Sequence, residues 1–211
     1  MPDLGPMAAD AAGVASRLDP GSGAGRPLRL VLLGPPGSGK GTQAELLAAR
    51  LGVPAISTGS MLREAVAAET ELGRRVHSAL SLGHLVDDAT MAEVVRERLA
   101  EPDAGRGFLL DGYPRTRAQA ETLERLLAGG QSLDAVLLIE VPEPEVLQRL
   151  VGRGRADDDH AIARARLDVY RETNPDVVGY YRERGLLRSI DGHQPIERVT
   201  SDILAALGAA R

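Results

Sequence analysis

The chain contains 211 residues, of which 43% are hydrophobic, and it carries a formal net charge of −5 at pH 7. This length and composition are typical of one compact domain, and the negative charge excludes a general electrostatic surface for nucleic acid. The absence of cysteine excludes a disulfide framework and a thiolate site for zinc, and no apolar run approaches the length that spans a membrane. We therefore expect a cytoplasmic protein without membrane or nucleic-acid partners, and nothing in the sequence requires more than a monomer.

The first 26 residues differ in kind from the rest of the chain. Residues 1–26 are rich in Ala, Gly, Pro and Asp and contain no apolar run that could serve as a signal peptide. Asp3, Asp10 and Asp19 also argue against a transit peptide. We expect this segment to be a disordered N-terminal extension.

A glycine-rich loop follows the first predicted strand. Leu28–Leu33 has the apolar character of a strand, Gly34–Gln43 forms the loop, and a helix is predicted over Thr42–Leu51. The loop matches G-x-x-x-x-G-K, and its Lys40 is the only lysine in the chain. Such a loop wraps backbone N–H groups around a phosphate chain, and the positive end of the next helix faces the same anion. The segment therefore indicates a nucleoside-phosphate site.

Two further expectations concern this helix and its first turn. The leucines predicted on one face of the helix are Leu46, Leu47 and Leu51. In many phosphate loops a serine or threonine follows the lysine and binds Mg²⁺ directly, but here Gly41 holds that position and Thr42 comes one place later. This departure argues against a switch GTPase and favours a kinase that binds its metal by other means.

The rest of the chain alternates between strand-like and helix-like segments. The other predicted strands are Val53–Ile56, Gly107–Asp111, Asp134–Val141 and Leu186–Asp191. The final predicted helix is Ile196–Leu207. Such alternation predicts a parallel, doubly wound sheet that binds ligands at the carboxyl ends of its strands. Between Thr58 and Ala100 the helical pattern is too long for a single crossover, which indicates an insertion.

Two more segments carry candidate site residues. Ser57–Arg63 combines hydroxyl groups with an arginine one turn later, which suits a second anion at a helix N-terminus. Taken alone, however, this segment favours an ordinary N-cap at Ser57 or Thr58 with a solvated arginine. Asp111 ends a predicted strand, where a carboxylate can hold Mg²⁺ through water. Arg115 is placed to reach a phosphate, and Gln119 to hydrogen-bond the edge of a base. Each of these residues, taken alone, could be a cap or a surface residue.

The order and spacing of these motifs resemble the adenylate kinase family over residues 28–207. The segments that carry the resemblance are 34–43, 57–63, 111–116 with Gln119, and an arginine cluster from 149 to 166. The resemblance implies an α/β, P-loop NTPase-like fold: three α/β/α layers with a five-stranded parallel sheet, a helical monophosphate-binding insertion and a short lid. The implied core comprises 27–56, 87–151 and 160–211, with the insertion at 57–86 and the lid at 152–159.

The resemblance also implies an activity and a set of site residues. The activity is reversible, Mg²⁺-dependent phosphoryl transfer from ATP to AMP, giving two ADP, with Asp111 holding the metal through water. The residues implied to surround ATP are Gly37, Ser38, Gly39, Lys40, Gly41, Thr42, Arg149, Arg153 and Gly192. Those implied to surround AMP are Thr58, Arg63, His84, Leu85, Val86, Gly112, Tyr113, Pro114, Arg115, Gln119, Arg155 and Arg166. Those implied to act in catalysis are Lys40, Arg115, Arg153, Arg155 and Arg166.

Two alternatives remain at this point. A UMP/CMP kinase shares the fold and lid, although Thr58 and the segment from Thr116 to Gln119 favour adenine. A non-enzymatic nucleotide sensor would use the same loop. The sensor is opposed by Gly41, by the absence of an Asn-Lys-x-Asp guanine-binding motif, and by an arginine cluster larger than simple nucleotide binding requires.

Overall fold

The fold is known from a computed structural model, which describes residues 27–129, 131–151 and 160–208. Five strands form one sheet in the order β2-β3-β1-β4-β5, and every neighbouring pair is parallel. The strands are β1 (Leu28–Leu33), β2 (Ala55–Ser57), β3 (Gly107–Asp111), β4 (Ala135–Glu140) and β5 (Leu187–Asp191). β1 lies at the centre of the sheet, so the loop that follows it opens between β3 and β4, where strand order reverses and ligands of such sheets bind.

Helices connect these strands and cover both faces of the sheet. They are α1 (Lys40–Leu51), α2 (Thr58–Ala67), α3 (Glu71–Ser81), α4 (Asp88–Leu99), α5 (Arg117–Leu127), α6 (Glu143–Val151), α7 (His160–Glu183) and α8 (Ile196–Gly208), with a 3₁₀ turn at Ala104–Arg106. Several begin at side-chain caps that the local sequence supplies. Thr70, Asp87 and Thr116 accept hydrogen bonds from the first turns of α3, α4 and α5, respectively.

Alternating residues of the strands build two apolar cores. Val31 and Leu33 point to one face, which α4, α5 and α7 cover, whereas Leu30 and Leu32 point to the other, which α1 and α8 cover. Strands buried on both faces are nearly continuous apolar runs, which is why β1 and β4 could be recognised in the sequence. The predicted three-layer α/β/α fold with a five-stranded parallel sheet is confirmed.

One finer prediction from the sequence is wrong, and others stay predictions. Leu47 is fully buried on α1, but Leu46 is 38% exposed, so the prediction that the two share one face is wrong. Gln43 and Ala44 are the residues buried with Leu47. Helices α2 and α3 pack together in the predicted insertion, and the domain boundaries stay a prediction. The predicted N-terminal extension and lid lie outside the described residues. In the part of the chain that the structure describes, no helix combines the length and apolar character needed to span a bilayer.

Candidate active site

A cleft of about 1030 Å³ opens at the carboxyl ends of the strands. Its walls bring together segments that are far apart in the sequence: the phosphate loop, the starts of α2 and α4, the end of β3, and parts of α6 and α7. The predicted site residues that line it are Gly37, Ser38, Gly39, Lys40, Gly41, Thr42, Thr58, Arg63, His84, Leu85, Val86, Asp111, Gly112, Pro114, Arg115, Gln119, Arg149, Arg166 and Gly192. A single cleft therefore contains both predicted nucleotide sites.

The phosphate loop is held in a tight turn at one side of the cleft. The backbone N–H of Ser38 donates to the carbonyl of Pro35 over 3.1 Å, and Lys40 Nζ donates to the carbonyls of Gly34 and Pro35 over 2.8 Å each. Gly34 has a φ of +144°, and a Cβ there would lie 2.5 Å from the carbonyl oxygen of Ile139 in β4. The loop therefore requires glycine at this position, and the lysine ammonium is already positioned among its carbonyl groups.

Asp111 faces the phosphate loop from the end of β3. A Cβ built on Gly41 would lie 4.0 Å from Asp111 Oδ2, and Ser57 Oγ lies 3.5 Å from the same oxygen. One carboxylate with a hydroxyl beside it fits Mg²⁺, which keeps several waters and takes its other ligands from substrate phosphates. Among the described residues, no cluster of three or more His, Asp or Glu side chains forms an all-protein metal cage. The Asp111 carboxylate and the Ser57 hydroxyl therefore fit a Mg²⁺ ion that binds together with a nucleotide.

Three arginines bring positive charge to the part of the cleft near Asp111. The side chain of Arg115 is accessible from the cleft, yet the surrounding protein lowers its pKa by desolvation; Asp111 opposes that shift, and the positive charges of Arg166 and Arg63 add to it. A guanidinium stays charged in proteins, so this crowding creates a positive potential that a bound anion would relieve. Thr58, which is 1% exposed, donates to the backbone carbonyl of Asp111 over 3.3 Å and joins this part of the cleft to β3.

Gln119 is a buried amide at the edge of the cleft, 2% exposed. Its Nε2 donates to Asp88 Oδ1 over 2.8 Å, and its Oε1 accepts from the backbone N–H of Arg115 over 2.8 Å. Tyr113 is fully buried, and its hydroxyl donates to the backbone carbonyl of Gln119 over 3.1 Å. Burial, with a smaller contribution from the charge of Asp88, raises the pKa of Tyr113 to about 12, so this hydroxyl remains a donor at neutral pH.

A third group of residues borders the phosphate loop from α6 and the segment after β5. Arg149 pairs with Glu145 and donates to the backbone carbonyl of Gly192 over 3.2 Å, and the ring of His193 also contacts Glu145. Burial alone would raise the pKa of Glu145, but its hydrogen bonds to His193 and Arg149 outweigh that effect and lower the pKa. This group ties α6 to the loop around Gly192.

Three predicted site residues do not appear on the described cleft wall. Tyr113 lies behind it and supports Gln119. Arg153 and Arg155 lie outside the described residues, so their predicted roles stay predictions.

Two residues that hold elements of the site together were not singled out by the sequence analysis. Gln43 is 3% exposed and ties α1 to the start of α8. Asp88 fixes Gln119, although in the sequence it has only the signature of an ordinary acid in the first turn of a helix.

Comparisons with known proteins identify the family of this chain. A family model described as adenylate kinase matches residues 32–186. The chain is 50% identical over 184 residues to a protein named adenylate kinase from Kocuria rhizophila, and the match covers 85% of this chain and 98% of that protein. The chain belongs to the adenylate kinase family. An adenylate kinase from Thermobifida fusca is 49% identical over 185 residues, with the same coverage of both chains, and one from Moorella thermoacetica is 46% identical over 213, covering 86% of this chain and 98% of that protein.

Membership of this family identifies the chain as an enzyme that binds nucleotides and transfers phosphoryl groups between adenine nucleotides. The resemblance inferred from its motifs is thereby confirmed. In adenylate kinases one nucleotide donates the phosphoryl group and a second accepts it, so two anion sites must open on one cleft. The phosphate loop and the residues Thr58, Arg63 and Arg115 line one such cleft.

Proposed function

We propose that the protein catalyses reversible, Mg²⁺-dependent transfer of the γ-phosphoryl group of ATP to AMP, giving two ADP. The observation that carries the proposal is a single cleft that is lined both by Lys40 and the phosphate loop and by Thr58, Arg63 and Arg115. Two nucleotides bound in this cleft meet with their phosphate groups between them. Membership of the adenylate kinase family supports adenine as the base on both sides.

The donor half of the site rests on the phosphate loop. Its backbone N–H groups and the N-terminus of α1 bind the phosphates of ATP, and Lys40 exchanges its carbonyl partners for phosphate oxygens. Arg149 and the loop around Gly192 border the same side. Asp111 would hold Mg²⁺ through water, and the bound ion would supply neutralisation of the phosphate charge.

The acceptor half rests on the part of the cleft that Thr58 and the arginines line. Arg63, Arg115 and Arg166 attract the AMP phosphate because their mutual repulsion is relieved by an anion. Thr58 and the segment 84–86 border the base, and Gln119 hydrogen-bonds its edge. With both phosphates positioned, the chemistry needs no covalent intermediate, because orientation and charge stabilisation provide most of the catalysis in phosphoryl transfer.

The test is ADP formation from Mg²⁺-ATP with AMP, CMP or UMP as acceptor at equal enzyme concentration. Fast turnover with AMP alone supports the proposal. A preference for CMP or UMP keeps the mechanism and overturns the base assignment. Tight ATP binding without turnover of any acceptor overturns the proposal and favours the sensor.

A further inference from the structure

The amide of Gln119 is held at both ends by the protein. Its nitrogen donates to the carboxylate of Asp88 and its oxygen accepts from the backbone N–H of Arg115, each over 2.8 Å. A carboxylate can only accept and a backbone N–H can only donate. Turning the amide by 180° would therefore set two acceptors against each other at Asp88 and two donors at Arg115. The orientation of this amide is fixed from two independent sides.

Asp88 acts from behind the cleft wall. It is the first residue of α4, it is exposed, and it is not among the residues that line the cleft, whereas Gln119 is. Both of its carboxylate oxygens lie 3.2 Å from Thr116 Oγ1, and that hydroxyl caps α5 by accepting from the N–H of Gln119 over 3.1 Å. Asp88 thus joins the start of α4 to the start of α5 without contacting the space where a nucleotide binds.

The fixed amide keeps one hydrogen-bond donor and one acceptor for a ligand. Nε2 has two N–H groups, of which Asp88 takes one, and Oε1 has two lone pairs, of which Arg115 takes one. Within the described ranges, no other protein group bonds to the remaining N–H or to the remaining lone pair. Because Gln119 lines the cleft, a base edge that enters this part of the site meets a donor beside an acceptor in a fixed order.

We propose that Asp88 is a positioning residue that determines which bases the acceptor site takes: by fixing the Gln119 amide, it admits a 6-aminopurine and rejects a 6-oxopurine. This inference rests on the proposed function. Adenine presents an acceptor at N1 beside a donor at N6, which complements the fixed amide. Hypoxanthine presents a donor at N1 beside an acceptor at O6, which opposes it donor to donor and acceptor to acceptor.

Binding of a 6-oxopurine is unfavourable because both ends of the Gln119 amide are held by hydrogen bonds. To bind a 6-oxopurine, the amide must rotate, and both contacts that hold it become repulsive. A site built to hydrogen-bond one pattern rejects the reversed pattern strongly, because its buried polar groups are left without partners. Without Asp88, only the N–H of Arg115 opposes the rotation, so discrimination weakens while the Gln119 side chain stays in place.

The experiment compares kcat/KM for AMP and for IMP, which differ only at the purine C6 and N1 positions, with saturating Mg²⁺-ATP. The variant is Asp88→Asn, whose amide can donate to a rotated Gln119. The matched control is Glu93→Gln, which removes a carboxylate from the same helix; Glu93 is exposed and is paired with Arg75 at 3.8 Å, away from α5. We expect the AMP-to-IMP ratio to fall about tenfold or more in Asp88→Asn, through KM for both nucleotides, and to be unchanged in Glu93→Gln.

Two further variants separate positioning from folding. Asp88→Glu keeps a group that only accepts, and we expect its AMP-to-IMP ratio to stay within about threefold of wild type. Asp88→Ala removes the carboxylate without adding a donor, and it replaces Asp88→Asn in the comparison if thermal unfolding shows that the asparagine variant does not fold. A loss of stability alone lowers activity with both nucleotides and leaves their ratio unchanged.

The outcomes distinguish this inference from the proposed function. If wild type does not phosphorylate AMP, the proposed function fails and the inference fails with it. If wild type prefers AMP and the folded Asp88 variant keeps the same AMP-to-IMP ratio, the proposed function stands and the inference is overturned. An equal loss of selectivity in Asp88→Glu and Asp88→Asn also overturns it, because the effect would then not depend on a group that only accepts.

Discussion

Oε1 of Gln43 accepts a hydrogen bond of 2.8 Å from the hydroxyl of Thr200, 157 residues later in the chain. The Nε2 of the same glutamine donates to the backbone carbonyl of Ile196 over 3.0 Å. Both side chains are almost fully buried, at 3% and 1% exposure. The first turn of α1, the helix after the phosphate loop, is therefore hydrogen-bonded to α8, the final helix.

Replacing Gln43 with leucine should destabilise the fold. The change removes the hydrogen bonds that Gln43 makes with Thr200 and Ile196, although the Thr200 hydroxyl still donates to the Ile196 carbonyl over 2.9 Å. Each lost hydrogen bond contributes about 0.5–1.5 kcal/mol, so the free energy of unfolding should fall by about 1–3 kcal/mol. Urea unfolding measures this loss, and a double-mutant cycle with Thr200→Val isolates the contact itself. Ser201→Ala is the matched control, because that exposed hydroxyl bonds within its own helix and its loss should change stability by less than about 0.5 kcal/mol. Additive effects of the two buried variants would contradict the coupling.

Exchanging Lys40 for arginine should reduce the rate and leave the fold intact. The lysine ammonium fits among the carbonyls of Gly34 and Pro35, and the wider, planar guanidinium cannot occupy that space or follow the phosphates in the same way. We expect kcat to fall by at least about 10²–10³-fold, as when one preorganised charge is lost.

The control for this prediction is Arg50→Lys, the reverse exchange at an exposed position in the last turn of α1. It should not change kcat. Steady-state kinetics with ATP and AMP compares the variants, and thermal unfolding verifies that both are folded. A near-normal rate for Lys40→Arg would show that any positive charge suffices at this position.

Arg149→Ala should weaken the donor side of the cleft more than the acceptor side. Arg149 pairs with Glu145 and bonds the carbonyl of Gly192, so its loss removes a charge beside the phosphate loop and loosens the segment after β5. Hydrogen bonds to charged groups contribute about 1.5–3 kcal/mol, which corresponds to a rise of about 10- to 100-fold in KM for ATP. Measured KM values for both nucleotides test this, with Arg182→Ala, an exposed arginine of α7, as control. An equal rise in KM for AMP would contradict the assignment of Arg149 to the ATP side.

The N-cap of α4 gives a pH-dependent prediction. Asp87 Oδ1 accepts from the backbone N–H of Thr90 over 2.9 Å, and this hydrogen bond is the main cause that lowers the pKa of Asp87. Because the folded-state pKa lies below the unfolded value of about 4, the stabilisation is fully present above that pH and is lost as the pH falls through the folded-state pKa.

Asp87→Ala should therefore lower the free energy of unfolding by about 1 kcal/mol at pH 7, and the difference from wild type should shrink at pH 3. Urea unfolding at the two pH values measures both effects. Asp87→Asn is the matched variant, because its amide oxygen caps the helix without titrating. A difference between wild type and Asp87→Ala that is the same at both pH values would show that the charge of Asp87 contributes nothing to the cap.

Much of the fold was readable in the sequence because it depends on local patterns. β1 and β4 are nearly continuous apolar runs, and the alternation of strands with helices predicts a parallel sheet whatever the detailed packing. The phosphate loop was equally clear, since its glycines, lysine and following helix are contiguous. Leu46 shows the limit of such reasoning. It is apolar and directly precedes the buried Leu47, yet it is partly exposed to solvent, because the burial of each side chain depends on how the helix packs on the sheet.

The sequence alone determined the residue types of the site, the order of the elements and the family, because these are encoded in short, contiguous motifs. Only the tertiary structure decided which distant residues form hydrogen bonds with the residues of these motifs. Gln43 reaches Thr200, and Asp88 fixes Gln119 across 31 positions of the chain. A hydrogen bond between distant segments depends on how helices pack on the sheet, and no local pattern records that packing. The orientation of the Gln119 amide, and with it the order of donor and acceptor presented to a base, is therefore a property of the folded chain.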